Sequence, residues 1–185
     1  MKKKVCALMF CTSVIVCGIT GCAKDYETMK APEGGWTMEE LLNVTYLCGK
    51  QLSYPLTVDD LGKDFTVDTD VQKIDNRYVT NINYKGEYFA PCIFGADNNT
   101  DSDLKYFSSF AVDMPQNTKG FDFSLNGVGF DNTKDEILKA LGTPDYQSDN
   151  TNIIHYKDRQ DSPRKLIIIF NNNDLNEVSF VFGKN

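Results

Sequence analysis

The sequence predicts an α+β fold, in which helices pack on one face of an antiparallel sheet. Short stretches rich in β-branched and aromatic residues recur from residue 78 to the C-terminal end and are separated by Gly, Asn and Asp. Three capping-box sequences are present, and the first and third each precede a short apolar stripe of helical spacing. The order of these elements repeats once, which predicts two tandem units, each with a helix and three to four strands.

The N-terminal segment has the pattern of a secretion signal. Lysines 2–4 precede an apolar stretch at residues 5–18, which is shorter than the ~20 residues that a transmembrane helix needs. The sequence Ile19-Thr20-Gly21-Cys22 then resembles the lipobox of bacterial lipoproteins. This resemblance implies that residues 1–21 are a signal peptide and that Cys22 carries the acyl chains that anchor the protein to the membrane.

Composition and charge limit the partners of the remaining chain. The chain is 41% hydrophobic, with a net charge of −7 that becomes −10 once lysines 2–4 are removed with the signal. Nucleic-acid binding is disfavoured because phosphate recognition requires clustered Lys and Arg. We expect an extracytoplasmic domain, lipid-anchored to the cell membrane, that binds a neutral or basic envelope protein or peptide and has no cofactor.

The elements follow in order along the chain. Residues 22–35 contain Pro32, Gly34 and Gly35 and predict a flexible tether. The capping boxes at residues 37–40, 57–60 and 133–136 predict a helix that ends by Gly49, a shorter turn up to Gly62, and a helix that stops at Gly142. Strands are predicted at residues 78–84, 88–94, 104–112, 121–125, 152–156, 166–170 and 177–182.

An internal repeat suggests a duplicated architecture. Residues 80–85 match residues 151–157 with one insertion, and each segment is followed by an apolar strand, a turn rich in Asn and Asp, and an aromatic strand. A capped turn that ends in Leu-Gly precedes each copy, at Leu61-Gly62 and Leu141-Gly142. The predicted N-terminal repeat is 36–115 and the C-terminal repeat 116–185.

Residues 130–145, with the capped helix running into Leu141-Gly142-Thr143-Pro144-Asp145, are followed by three predicted strands. This arrangement resembles the helix-and-sheet unit of β-lactamase inhibitor proteins and is similar to the small lipoprotein of the outer-membrane β-barrel assembly machinery. The resemblance implies the fold of that unit for the C-terminal third of the chain. It does not imply an activity, because such units bind very different proteins.

Two cysteines remain in the body of the protein after the signal segment and Cys22 are set aside. Cys48 and Cys92 have hydrophobic neighbours, which favours free buried thiols. A disulfide between them is the alternative, since two cysteines outside the cytoplasm can pair.

Catalytic and metal-binding motifs are weak in this sequence. His155 is the single histidine, which excludes metal sites that need two imidazoles and favours a residue on the sheet surface. Cys92 and His155 occur in the chain order of some cell-wall cysteine peptidases, so a hydrolase or transpeptidase that uses both is one alternative. Residues 97–103, beginning at Asp97, offer alternating oxygen ligands but lack the Gly and Glu of a calcium loop, which favours a solvated hairpin over a weak Ca²⁺ site.

The function predicted from the sequence is non-catalytic binding of a protein or peptide. Aromatic residues of the predicted strands supply contact area at low entropic cost, although core packing also explains each of them. The candidate binding face consists of Tyr84, Tyr88, Tyr106, Phe107 and Tyr156. A solute-binding lipoprotein is a second alternative, disfavoured by the absence of a predicted alternation of strands and helices.

Overall fold

The computed structural model describes residues 26–75, 77–95, 104, 106–113, 121–148, 152–161 and 163–183. The signal segment and Cys22 therefore lie outside the described residues. The helices are α1 (Met38–Asn43), α2 (Val58–Leu61) and α3 (Lys134–Leu141). The strands are β1 (Thr45–Leu47), β2 (Lys50–Gln51), β3 (Phe65–Val67), β4 (Gln72–Ile74), β5 (Arg77–Tyr84), β6 (Glu87–Gly95), β7 (Phe107–Asp113), β8 (Phe123–Leu125), β9 (Tyr146–Gln147), β10 (Ile153–Lys157), β11 (Lys165–Asn171) and β12 (Asp174–Val181).

The predicted α+β class is wrong, because the chain is mostly antiparallel β-sheet with 47% strand, 13% helix and three small helices. The helices contain only 6, 4 and 8 residues, so they cannot form a layer over a sheet. Helices this short are marginal by themselves, and tertiary contacts decide how far they extend. The first helix already ends at Asn43, because residues 45–47 pair with β8 as strand β1.

The starts of the helices agree with the sequence prediction. In each helix the cap threonine accepts a hydrogen bond from a backbone amide, and the acidic residue three positions later accepts from the cap backbone. The pairs are Thr37 with Glu40, Thr57 with Asp60, and Thr133 with Glu136.

The main sheet has nine strands and a symmetric order of strands about its centre. The path is β3-β5-β6-β7-β12-β11-β10-β9, and β4 also pairs with β5. Helix α2 precedes the first four strands of this path in the chain, and α3 precedes the last four. The two sets meet where β7 pairs antiparallel with β12. The two tandem repeats, with boundaries at 36–115 and 116–185, stay a prediction.

One face of the main sheet forms the core. Its central row crosses six strands through directly opposed residues, which share a face. The row is Thr80, Cys92, Phe110, Phe180, Leu166 and Tyr156. All six are buried, and the five apolar members belong to the same hydrophobic cluster. A single core therefore spans the junction between β7 and β12.

A small sheet with the order β2-β1-β8 closes this core. Leu47 and Leu125 point into the core cluster, whereas Tyr46 and Ser124 are directly opposed and point away from it. Residues 26–36, here called the strap, connect to this layer. At the end of the strap, the buried Trp36 indole donates a hydrogen bond of 2.7 Å to the Leu141 carbonyl.

Candidate functional site

The structure does not bring the five predicted aromatic residues together. Tyr84, Phe107 and Tyr156 are buried core residues with exposed fractions of 3%, 4% and 2%. The Tyr156 hydroxyl, for example, donates to the Gly142 carbonyl at 2.9 Å. Of the two exposed members, Tyr88 lies in β6, and Tyr106 forms an isolated bridge with Thr57. The predicted aromatic face is therefore wrong for the three buried residues.

The predicted pairing of Cys92 with His155 is also excluded by position. Cys92 lies in the core row on β6, whereas His155 on β10 is next to Tyr156 and so points to the opposite face. Four strand spacings separate β6 from β10, which places the two residues roughly 19 Å apart. A nucleophile and its base must lie within hydrogen-bond reach, so this pair cannot act as a catalytic dyad.

Both cysteines of the described chain are free thiols. The Cys92 thiol is buried and donates to the Thr80 carbonyl at 3.5 Å. Burial raises the pKa of Cys92 to about 12. Because the thiolate is the reactive form, Cys92 is an inert core residue.

The burial of Cys92 predicts how its thiol reacts with an alkylating agent. Native protein treated with iodoacetamide at pH 8 is expected to remain unmodified at Cys92, and the same treatment in denaturant is expected to modify it. Peptide mass spectrometry measures both outcomes. Rapid modification of Cys92 in the native protein would contradict its position in the core.

The opposite side of the main sheet, here called the outer face, carries a second set of apolar side chains. None of them belongs to the core cluster or to the side chains packed against it. They are Val79, Ile93, Ile153, Ile167, Ile169 and Val181. All except the buried Val181 are half-buried.

Strand register shows which of these side chains are neighbours. Ile153 is directly opposite Ile169, and His155 is directly opposite Ile167. Ile93 is opposite Val79 on one side and Ser109 on the other, and Ser109 is opposite Val181. The outer face therefore carries two apolar clusters, one of Ile153, Ile167 and Ile169 on β10 and β11 and one of Val79 and Ile93 on β5 and β6. Ser109 on β7 and Ser179 on β12 lie between them.

Charged groups of opposite sign occupy two separate places on this face. Asp113 and Glu177 are directly opposed on β7 and β12, and neither has an ion pair with a described residue. Burial and the charge of Glu177 raise the pKa of Asp113. Burial and the negative charges of these two carboxylates raise the pKa of the exposed Tyr88 on β6. Two like charges opposite each other destabilise a sheet, so this pair is not explained by folding.

The other charged place is basic. Lys157 is directly opposite Lys165, beside His155 on the same face. Burial lowers the pKa of His155, and the charges of Lys165 and Lys157 lower it further. The outer face thus has an acidic place on β7 and β12 and a basic place on β10 and β11.

The pKa of His155, the single histidine, reports the positive charge of the neighbouring lysines. The pKa of His155 is expected to lie below 6.5 in the folded chain, and Lys165→Gln is expected to raise it toward that value. The unfolded chain then binds a proton at a higher pH than the folded chain, so the free energy of unfolding falls as pH drops below about 6.5. Imidazole NMR titration measures the pKa, with Lys139→Gln on the exposed side of α3 as the matched control. A His155 pKa that does not respond to Lys165→Gln would contradict the register.

The sequence contains a signal for the outer face that the aromatic hypothesis did not use. The segment Leu166-Ile167-Ile168-Ile169-Phe170 is apolar at every position, whereas a strand with one solvated face alternates. A continuous apolar run is typical of a strand with two apolar faces. Ile167 and Ile169 could have been identified from this run.

Neither a cluster of metal ligands nor a membrane-spanning helix is found in the described part of the chain. These residues contain no group of three or more His, Cys, Asp or Glu side chains placed to hold a metal ion. The candidate calcium loop at residues 97–103 lies outside the described part. No helix within that part is long and apolar enough to span a bilayer.

Comparison of the chain with protein-family models, with curated proteins and with solved structures found no match. The candidate site is therefore defined by the geometry of the outer face alone.

Proposed function

We propose that this chain is a membrane-anchored extracytoplasmic lipoprotein that acts as a non-catalytic protein- or peptide-binding module at the cell envelope. The anchor is Cys22, and the binding surface is the outer face. The observation that carries the proposal is the cluster of half-buried Ile153, Ile167 and Ile169, which lie next to one another on the outer face and do not belong to the core cluster. An apolar patch of this kind on a soluble face marks an interaction site.

The charges of the outer face indicate where a partner should place charged groups of opposite sign. A partner that places a cationic side chain over Asp113 and Glu177 removes the repulsion between the two carboxylates. An acidic group placed over Lys157 and Lys165 makes the second contact. Complementary charges give orientation and specificity, while the apolar cluster of Ile153, Ile167 and Ile169 supplies most of the affinity.

Site-specific photo-crosslinking in the cells that produce the protein tests this proposal. A photoreactive amino acid replaces Ile167 on the outer face or, in the control, the exposed Glu39 on α1. We expect a crosslinked species of defined mass from position 167 and not from position 39. The same products from both positions, or none from position 167, would refute the outer face as a binding surface.

A further inference from the structure

The strap is attached to the body at several points, although its sequence predicts a flexible tether. The side chain of the buried Asn126 accepts from the Met29 amide at 2.8 Å and donates to the Met29 carbonyl at 2.9 Å. The side-chain amide nitrogen of Asn126 also donates to the Ala140 carbonyl at 2.8 Å. Asn126 therefore fixes the middle of the strap to the body by a pair of bonds that a moving segment could not keep.

The beginning of the strap is fixed as well. The Tyr26 ring stacks on the Tyr46 ring with 4.5 Å between centroids, and its hydroxyl donates to an Asp122 carboxylate oxygen. Burial and this hydrogen bond raise the pKa of Tyr26. At the other end, Arg159 donates to the Gly35 carbonyl at 2.7 Å.

The strap lies on the side of the molecule opposite the outer face. Tyr46 and Ser124 point away from the core, and Tyr26 covers Tyr46 on that side. Ser124 is only 5% exposed although it faces away from the core, which agrees with cover by the strap. The order through the molecule is therefore the strap, the small sheet, the core, the main sheet and the outer face.

We infer that the strap orients the anchored protein, so that the small sheet faces the lipid and the outer face points away from it. This inference rests on the proposed acylation of Cys22. Four residue steps separate Cys22 from Tyr26, and an extended chain covers at most about 3.5 Å per residue, so the body lies within about 14 Å of the anchor. The partner of the outer face is therefore a protein that approaches from the side away from the membrane, not a lipid headgroup.

Quenching by lipid-bound nitroxide tests the orientation. The full-length chain, acylated in a bacterial host, is placed in vesicles of phosphatidylcholine and phosphatidylglycerol that carry nitroxide headgroups. A fluorescent amino acid replaces Lys30 in the strap or Lys157 on the outer face, both exposed. We expect quenching at position 30 to be at least several-fold greater than at position 157, because two packed layers separate the two positions.

A variant in which the strap is released from the body forms the second part of the quenching experiment. Tyr26→Ala combined with Asn126→Gly removes the stacking and the side-chain bonds, and glycine keeps the positive φ of 51° at residue 126. This variant is expected to increase quenching at position 157, since the body can then tip toward the lipid. Asn172→Gly is the matched control, with a φ of 50° in an exposed turn.

The outcomes separate the inference from the proposed function. Equal quenching at positions 30 and 157 in the intact chain, or no effect of strap release, would overturn the orientation while leaving the anchor in place. Failure of the full-length chain to float with the vesicles would overturn the anchor, and the orientation with it.

Discussion

Phe180→Ala is expected to lower the free energy of unfolding by about 3–5 kcal/mol, a large part of the ~5–15 kcal/mol that holds a typical domain together. Phe180 is fully buried and is directly opposite Phe110 on one side and Leu166 on the other. It therefore fills the core where the two sets of strands meet. Removal of the ring leaves a cavity that fixed neighbouring strands cannot close.

Urea unfolding followed by circular dichroism measures this loss. Asn176→Ala on the same strand is the control, because Asn176 is exposed and its change is expected to cost less than about 0.5 kcal/mol. If Phe180→Ala costs no more than the control, the junction between β7 and β12 is not the centre of the core.

The second large effect is expected on binding. Ile167→Thr combined with Ile169→Thr should weaken binding of the crosslinked partner about 30-fold, which corresponds to the ~2 kcal/mol of a hot spot. Threonine keeps the β-branched shape that strands favour, so the fold is expected to remain intact. Ile74→Thr is the matched control, because Ile74 is 53% exposed on β4, which pairs with β5 and lies several strands away from β10 and β11. Titration calorimetry with the purified partner measures the three affinities. Equal affinities would contradict a role for Ile167 and Ile169.

Local signals in the sequence predicted much of the secondary structure. The capping boxes at Thr37, Thr57 and Thr133 are present because cap and partner are only three residues apart. The turn between β11 and β12 also follows from local chemistry, since Asn172 and Asn173 have positive φ values of 50° and 84°. Helix length was not predictable in this way, because sheet pairing and packing stop a helix regardless of its cap.

The side of the sheet on which a residue lies was harder to predict. In β10 the sequence Ile153-Ile154-His155-Tyr156 offers apolar side chains to both faces, so alternation does not identify the buried one. Tyr156 proved to be a core residue and Ile153 an outer-face residue. The aromatic hypothesis failed here because aromatic residues serve cores and interfaces equally well.

The strap shows a second limit of sequence patterns. Its Pro and Gly residues are typical of a linker, but its middle is fixed by Asn126, which is 97 positions away from Met29 in the chain. A long-range side-chain bond of this kind leaves no periodic trace in the sequence. The composition of the segment therefore predicted a flexible backbone, whereas contacts with distant residues fix the segment to the body.

The central claim is that a protein partner binds the outer face, and isoleucine methyl NMR tests it most directly. Of the nine described isoleucines, Ile93, Ile153, Ile167 and Ile169 lie on the outer face, Ile82, Ile137, Ile154 and Ile168 lie in the core, and Ile74 is exposed on β4 at the far edge of the sheet. Addition of the partner recovered by crosslinking is predicted to shift or broaden the four outer-face signals and to leave the core signals in place. Changes confined to the core isoleucines, or no change in the outer-face signals at saturating partner, would contradict the claim.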